Sequence, residues 1–175
     1  MERRILIAGF GGQGVMLMGQ LMGYAACYEE KEVVFLPTYG AEQRGGTANC
    51  TVIISDQPIG SVSVKKFDIV VAMNEPSFVQ FKDSLKPDGV LIVNSDFVSS
   101  VQEGCRQISV PAGHLAQNIG SRRTANMVML GVLAKVSGEI TTEALQKAVQ
   151  KKLAKKPEML ELNRKAIECG FGYAV

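Results

Sequence analysis

The sequence contains few of the residues from which metal and redox sites are usually built. It has one histidine, His114, no tryptophan and no Cys-x-x-Cys pair among its four cysteines. Because zinc and iron–sulfur sites need clustered ligands, we expect this chain to hold neither a metal ion nor a cluster by itself. The cysteines are better interpreted as buried, reduced thiols. They are Cys27, Cys50, Cys105 and Cys169.

The chain also lacks a strong charge of one sign and a long apolar run. Its net charge of +2 over 175 residues argues against nucleic acid or an acidic membrane as a partner. The longest apolar stretch, residues 15–27, is shorter than the about 20 residues of a membrane span. The first residues carry no signal-peptide pattern, so we expect a cytoplasmic protein. The length predicts one domain, residues 1–175, large enough to bury a core.

Apolar strand patterns alternate with helical patterns along the chain. Strands separated by helices predict a parallel sheet covered on both faces, but the strands between residues 33 and 64 are joined without a helix and should be partly antiparallel. The expected fold is therefore α/β: a Rossmann-like, mixed, mostly parallel sheet with helices on both faces and a helical C-terminal part. Strands are predicted over 4–8, 33–36, 48–55, 59–64, 68–73, 90–94 and 107–110, and helices over 12–28, 75–85, 112–119, 122–136, 141–154 and 157–170.

The first strand is followed by the glycine-rich run Gly9-Phe10-Gly11-Gly12-Gln13-Gly14 and then by a helix. This pattern is typical of dinucleotide sites, where phosphate lies at the helix N-terminus. Such sites also need an acidic residue at the end of the second strand, and that strand ends Phe35-Leu36-Pro37-Thr38. The sequence therefore argues against a dinucleotide as the ligand of this loop. Close strand–helix packing alone is the alternative role of the glycines, while Gln13 is a polar group able to contact a ligand or a partner loop.

A second polar loop, residues 38–47, follows the second strand and should emerge at the same edge of the sheet. Arg44 is suited to bind a phosphate or carboxylate in a bidentate manner, unless it pairs with Glu42 to hold the loop. The two loops together supply the candidate ligand- or partner-facing residues. These are Gly11, Gly12, Gln13, Gly14, Tyr39, Glu42, Arg44 and Gly45.

Three segments in order carry a family resemblance. They are G-x-G-G-Q-G-V at 9–15, Y-G-x-E-x-R-G-G at 39–46 and I-S-D-x-P-I-G at 54–60. The chain resembles, over essentially its whole length, the gamma subunit of 2-oxoacid:ferredoxin oxidoreductases, and most of all the 2-oxoglutarate and branched-chain versions, with pyruvate types also in the family. Ala41 departs from the pattern, since proline is common there.

The resemblance implies an accessory role in a complex that oxidatively decarboxylates a 2-oxoacid, forms acyl-CoA and reduces ferredoxin. Thiamine diphosphate and iron–sulfur clusters would lie on the alpha, beta and delta-type subunits, so this chain would bind no cofactor alone and hold no catalytic residue. A stand-alone, Rossmann-like nucleotide-binding protein remains the alternative. One helix carries Lys147, Lys151 and Lys155, extended by Lys152 and Lys156, which form either a solvated face or an approach for CoA phosphates or an acidic partner.

Overall fold

A computed structural model describes residues 1–40, 46–154 and 156–173. The strands are β1 Glu2–Phe10, β2 Glu32–Tyr39, β3 Thr47–Ser55, β4 Phe67–Ala72, β5 Leu85–Asn94 and β6 Arg106–Val110. The helices are α1 Val15–Tyr28, α2 Glu75–Phe81, α3 Ala112–Ile119, α4 Ala125–Ser137, α5 Thr142–Lys152 and α6 Pro157–Phe171. Short 3₁₀ turns occupy Lys82–Ser84 and Arg122–Thr124.

The strands form one mixed sheet in the order β2-β3-β1-β4-β5-β6. Strands β1, β4, β5 and β6 pair in parallel, whereas β3 runs antiparallel to both of its neighbours. In this register Ile7 of β1 lies beside Cys50 of β3 and Val71 of β4. The prediction of a mostly parallel α/β sheet with an antiparallel part is therefore confirmed.

The two faces of the sheet are covered very unequally. Alternate residues of a strand point to opposite faces, so Ile5 and Ile7 pack into one apolar cluster and Leu6 into another. The larger cluster includes buried residues of α1, α3, α4, α5 and α6, and the smaller one is closed by Phe78 of α2. No helix in the described ranges is long and apolar enough to cross a membrane.

Several predicted boundaries were wrong. Strand β2 continues through Pro37 to Tyr39, because an edge strand tolerates proline where one row of amides has no partner strand. Residues 59–64 form no strand. Strand β5 begins at Leu85 and not at residue 90, with an irregularity between its Phe67–Leu85 and Ile69–Val90 pairs. Helix α1 begins at Val15, after two glycines whose positive φ angles cannot belong to a helix.

The topology places a crevice at the carboxyl edge of the sheet. Helix α1, which follows β1, packs on the larger cluster, whereas α2, which follows β4, packs on the smaller one. The chain therefore leaves two neighbouring parallel strands toward opposite faces. In open α/β sheets this switch point is where ligands bind.

Candidate functional site: a cationic cleft at the carboxyl edge

The glycine turn after β1 is shaped for close contacts. Gly14 has a φ of 77°, and a Cβ atom there would lie 2.3 Å from Nδ2 of Asn126. A Cβ atom on Gly9 would lie 2.8 Å from Oε1 of Gln13. The absence of side chains at these two glycines therefore lets the start of α4 and the Gln13 side chain pack directly onto the turn.

Gln13 joins this turn to the turn that follows β4. Its Oε1 accepts hydrogen bonds from the amide of Phe10 and from Nδ2 of Asn74, both at 2.7 Å. Its Nε2 donates to the carbonyl of Met73 at 3.3 Å. Oε1 of Gln13 is thus occupied by hydrogen bonds inside the protein, whereas one N–H of its Nε2 has no partner among the described residues.

The second candidate loop meets the first one, as the sequence predicts. The amide of Gly11 donates to the carbonyl of Gly46 at 3.0 Å, and the amide of Gly40 donates to the carbonyl of Thr47 at 2.8 Å. Tyr39, at the end of β2, is 70% exposed. The remaining candidates of this loop lie outside the described residues. They are Glu42, Arg44 and Gly45.

A cleft of about 430 Å³ opens beside the glycine turn. The ends of β4 and β5 form its floor, and the starts of α3 and α4 form its far wall. Of the predicted candidates, Gly12, Gln13 and Gly14 lie in it. Its lining residues are Gly12, Gln13, Gly14, Met73, Asn94, Phe97, Gly113, Arg122, Arg123, Ala125 and Asn126.

Two arginines make the cleft cationic. Arg122 and Arg123 lie in the 3₁₀ turn before α4, which Ser121 holds by accepting a hydrogen bond from the Arg123 amide at 3.4 Å. Both side chains are exposed, and no carboxylate of the described residues lies within 4 Å of either guanidinium. With the positive end of α4 beginning at Ala125, the wall attracts anions.

Asp96 is an acid beside this wall, and its carboxylate is hydrogen-bonded to the start of α3. The buried carboxylate accepts hydrogen bonds from the amides of Gly113 and His114 at the start of α3 and from Nδ1 of His114. Burial alone would raise the pKa of Asp96, but these hydrogen bonds outweigh it and hold the pKa below its ordinary value. Asp96 therefore stabilises the start of α3. Its Oδ2 and Nε of Arg122 both lie beside Gly113, so this carboxylate offsets part of the Arg122 charge and leaves that of Arg123 free of a close acid among the described residues.

The other polar groups in the cleft are amides. Asn94, at the end of β5, is 1% exposed, and its Oδ1 accepts a hydrogen bond from the Asp96 amide at 3.3 Å. Asn126 projects from the first turn of α4. Within residues 1–40, 46–154 and 156–173 there is no group of three or more His, Cys, Asp or Glu side chains able to hold a metal ion. The cleft thus combines two cations with amide donors and acceptors, which suits an anionic molecule that also forms hydrogen bonds.

Two sequence interpretations need correction. The sequence predicts a helix that begins at Arg122, whereas Arg122 and Arg123 lie in a 3₁₀ turn before α4; the Ser-Arg-Arg-Thr run before an apolar helix is the signal for such a turn. The cysteines were all expected to be buried, but only Cys50 is fully buried and Cys27 is exposed. Cys27 is exposed on α1. Its neighbours in the sequence are mostly apolar, so the sequence does not reveal this exposure.

Comparison with known proteins identifies the family. Residues 4–173 match the family model described as pyruvate ferredoxin/flavodoxin oxidoreductase. Ketoisovalerate oxidoreductase subunit VorA of Methanothermobacter thermautotrophicus is 38% identical over 174 residues, which are 99% of this chain and 36% of VorA. This chain therefore spans about a third of that relative's length.

Solved structures show the same fold. The keto/oxoacid ferredoxin oxidoreductase gamma subunit of Geobacter sulfurreducens superimposes with a TM-score of 0.85 at 35% identity, covering 98% of this chain and 95% of that one. The 2-oxoglutarate:ferredoxin oxidoreductase of Magnetococcus marinus, solved with 2-oxoglutarate, coenzyme A and succinyl-CoA, gives a TM-score of 0.88 at 28% identity over 97% of this chain and 30% of that one. The chain belongs to the pyruvate ferredoxin/flavodoxin oxidoreductase family, and over nearly its whole length it is similar to the gamma subunit of a keto/oxoacid ferredoxin oxidoreductase.

Proposed function

We propose that this chain completes a cytoplasmic complex that oxidatively decarboxylates a 2-oxoacid, and that its cleft holds the phosphate-bearing part of CoA. Thiamine diphosphate and iron–sulfur clusters would be carried by alpha, beta and delta-type subunits, with ferredoxin as the electron acceptor. This chain, as one domain, would bind and orient CoA without entering the redox chemistry. CoA supplies the thiol that accepts the acyl group.

The observation that carries the proposal is the pair of arginines beside the glycine turn. Each guanidinium of Arg122 and Arg123 can donate two parallel hydrogen bonds to a phosphate, and CoA carries a diphosphate and a separate phosphate. The cleft volume of about 430 Å³ lies in the range of small-molecule sites. The Magnetococcus relative was solved with CoA, which agrees with this choice of ligand.

The amides of the cleft suit the uncharged parts of CoA. Asn94 and Asn126 offer both donors and acceptors, and Gln13 offers one free N–H. Adenine and the pantetheine arm expose matching donors and acceptors. Because these side chains project from the ends of strands and helices, their positions are fixed by the fold.

Exposed apolar side chains around the same edge support our proposal that the catalytic subunits bind there. Phe10 ends β1, Tyr39 ends β2 and Phe97 follows β5; their exposed fractions are 36, 70 and 53%. Leu36, three residues before the end of β2, is 37% exposed. Several large apolar groups left open at one edge are typical of a protein interface. We therefore place the alpha and beta subunits here, so that the thiol end of CoA leaves this chain toward them.

Glu42, Arg44 and Gly45 remain candidate ligand- or partner-facing residues. The described residues on either side of them, Gly40 and Gly46, lie at this edge, beside the glycine turn. In the second candidate function, a stand-alone nucleotide-binding protein, the same turn would hold NAD or FAD. Strand β2 ends in Pro37, Thr38 and Tyr39, without the acid that such a cofactor needs.

The test is reconstitution. The complex is purified with and without this chain, and acyl-CoA formation and ferredoxin reduction are measured with pyruvate, 2-oxoglutarate and 2-oxoisovalerate. We expect acyl-CoA formation from at least one 2-oxoacid to depend on this chain, and the isolated chain to bind neither NAD nor FAD. Full activity without the chain, or tight binding of either dinucleotide by the chain alone, would contradict the proposal.

A further inference from the structure

A second concave surface lies between α1 and α5, on the larger helical layer. Tyr24 and Tyr28, one helical turn apart on α1, are 49 and 43% exposed and form one wall. Lys151 and Lys152 of α5 form the other wall, and the buried Ala148 forms the floor. This space, the α1–α5 groove, has a volume of about 280 Å³.

The groove is positively charged, with aromatic surface beside the charge. Nζ of Lys152 lies 5.9 Å from the centroid of the Tyr24 ring, a cation–π distance. Lys147 precedes Lys151 by one turn of α5 and extends the charge. None of these three lysines has a carboxylate within 4 Å in the described part of the chain.

Acidic side chains near the groove form hydrogen bonds at the start of α5 and not with the groove lysines. Oε1 of Glu29, just after α1, accepts hydrogen bonds from the Thr141 hydroxyl and from the Thr141 amide at 3.3 Å. Thr141 in turn caps α5 by accepting from the Ala144 amide at 3.2 Å. Glu143 accepts from the Thr142 hydroxyl at 3.2 Å. These acids hold the far end of α5, so the lysines of the groove keep their charge for an external partner.

We propose that the α1–α5 groove docks an acidic segment of another subunit of the same complex. Carboxylates of that segment would pair with Lys151 and Lys152, and its apolar carbons would cover the two tyrosine rings. The small size of the patch and the net charge of +2 favour a protein segment over a nucleic acid, which needs a broad cationic surface. The inference rests on the proposed function, since it takes its partner from that complex.

The groove is separate from the CoA cleft. At a rise of about 1.5 Å per residue, Tyr24 lies about 15 Å along α1 from the glycine turn. Occupying the groove therefore does not block the cleft. Subunit docking and CoA binding can be measured independently, and one can fail while the other holds.

The test compares two charge reversals in the full chain. In the first variant Lys151→Glu is combined with Lys152→Glu; the control combines Lys65→Glu with Lys66→Glu, two other consecutive exposed lysines. The probe is the remaining subunits of the complex, purified without this chain. At low salt we expect the groove variant to bind them about 10- to 100-fold more weakly than the control, a gap that narrows as salt rises. Circular dichroism melting confirms that both variants fold.

A second measurement locates the partner. A carbodiimide that joins amines to carboxylates in direct contact should cross-link Lys151 or Lys152 to an Asp or Glu of another subunit, identified by mass spectrometry. Equal binding by the groove variant and the control, or no such cross-link, would overturn the proposal, as would an association that ribonuclease abolishes. At saturating subunit concentration the complex containing the groove variant should turn over at the unaltered rate. A docking defect is thereby distinguished from failure of the proposed function, which would abolish the dependence of turnover on this chain.

Discussion

Oε1 of Gln13 accepts a 2.7 Å hydrogen bond from Nδ2 of Asn74, joining two turns that are 61 residues apart in the chain. Asn74 also caps α2, because its Oδ1 accepts a hydrogen bond from the Ser77 amide at 2.9 Å. One side-chain contact thus fixes the glycine turn, the end of β4 and the start of α2 against one another. These three elements border the switch point where the cleft opens.

Replacing Gln13 should cost stability because it leaves several polar groups unpaired. We expect Gln13→Met to lower the free energy of unfolding by about 1–3 kcal/mol, since the Phe10 amide and the Asn74 side chain lose their acceptor. Urea unfolding measures this change. Gln20→Met, on α1, is the matched control and should change stability by less than about 0.5 kcal/mol.

The Gln13–Asn74 contact itself is isolated by a double-mutant cycle. Asn74→Ala also removes the cap of α2, worth about 1 kcal/mol. If the two residues act as one unit, the double variant should be less destabilised than the sum of the single variants by about 0.5 kcal/mol or more. Strictly additive effects would show that the contact contributes nothing.

Two glycines of the turn should respond differently to alanine. Both have positive φ angles, 95° at Gly12 and 77° at Gly14, so either substitution costs about 1–2 kcal/mol of backbone strain. A Cβ atom meets nothing within 4 Å at Gly12 but lies 2.3 Å from Nδ2 of Asn126 at Gly14. In urea unfolding, Gly14→Ala should therefore lower the stability more than Gly12→Ala does. Adding Asn126→Ala to Gly14→Ala should recover part of that additional loss. Equal effects at the two glycines would refute the close contact.

Local patterns in the sequence predicted most of the fold. The apolar runs of β1 and β4 are signals contained within a few residues, and the structure confirms both strands. The antiparallel part followed from the missing helix between the second and third strands. Boundaries failed at Pro37 and Leu85, where the position of a strand in the sheet overrides local preference.

The site was less accessible to prediction from the sequence. The sequence marks Gln13 as a polar residue in the glycine turn. Its partners Met73 and Asn74 lie about 60 residues away, and no local sequence pattern predicts these contacts. Arg122 and Arg123 matter because the fold brings the start of α4 onto the glycine turn, as the contact between Gly14 and Asn126 shows. Such neighbours depend on tertiary packing and leave no periodic signal.

The cysteines should differ sharply in reactivity with pH. Burial raises the pKa of the Cys50 thiol to about 12, although the backbone of Gly19 favours the thiolate. At pH 8 about one in ten thousand Cys50 side chains would be ionised, so Cys50 should resist a thiolate-selective reagent up to about pH 10 while the exposed Cys27 reacts. Labelling with iodoacetamide, followed by mass spectrometry, measures both. Labelling of Cys50 at the rate of Cys27 in the folded protein would contradict this assignment.

The Michaelis constant for CoA in the assembled complex tests the central claim most directly. Arg122→Ala combined with Arg123→Ala should raise it about 10- to 100-fold, because charge-assisted hydrogen bonds to phosphate are lost, while the constant for the 2-oxoacid stays unchanged. Arg106→Ala, an exposed arginine at the start of β6, is the control and should leave both constants unchanged. A CoA constant within about twofold of the unaltered complex, with assembly intact, would show that the cationic cleft does not hold CoA.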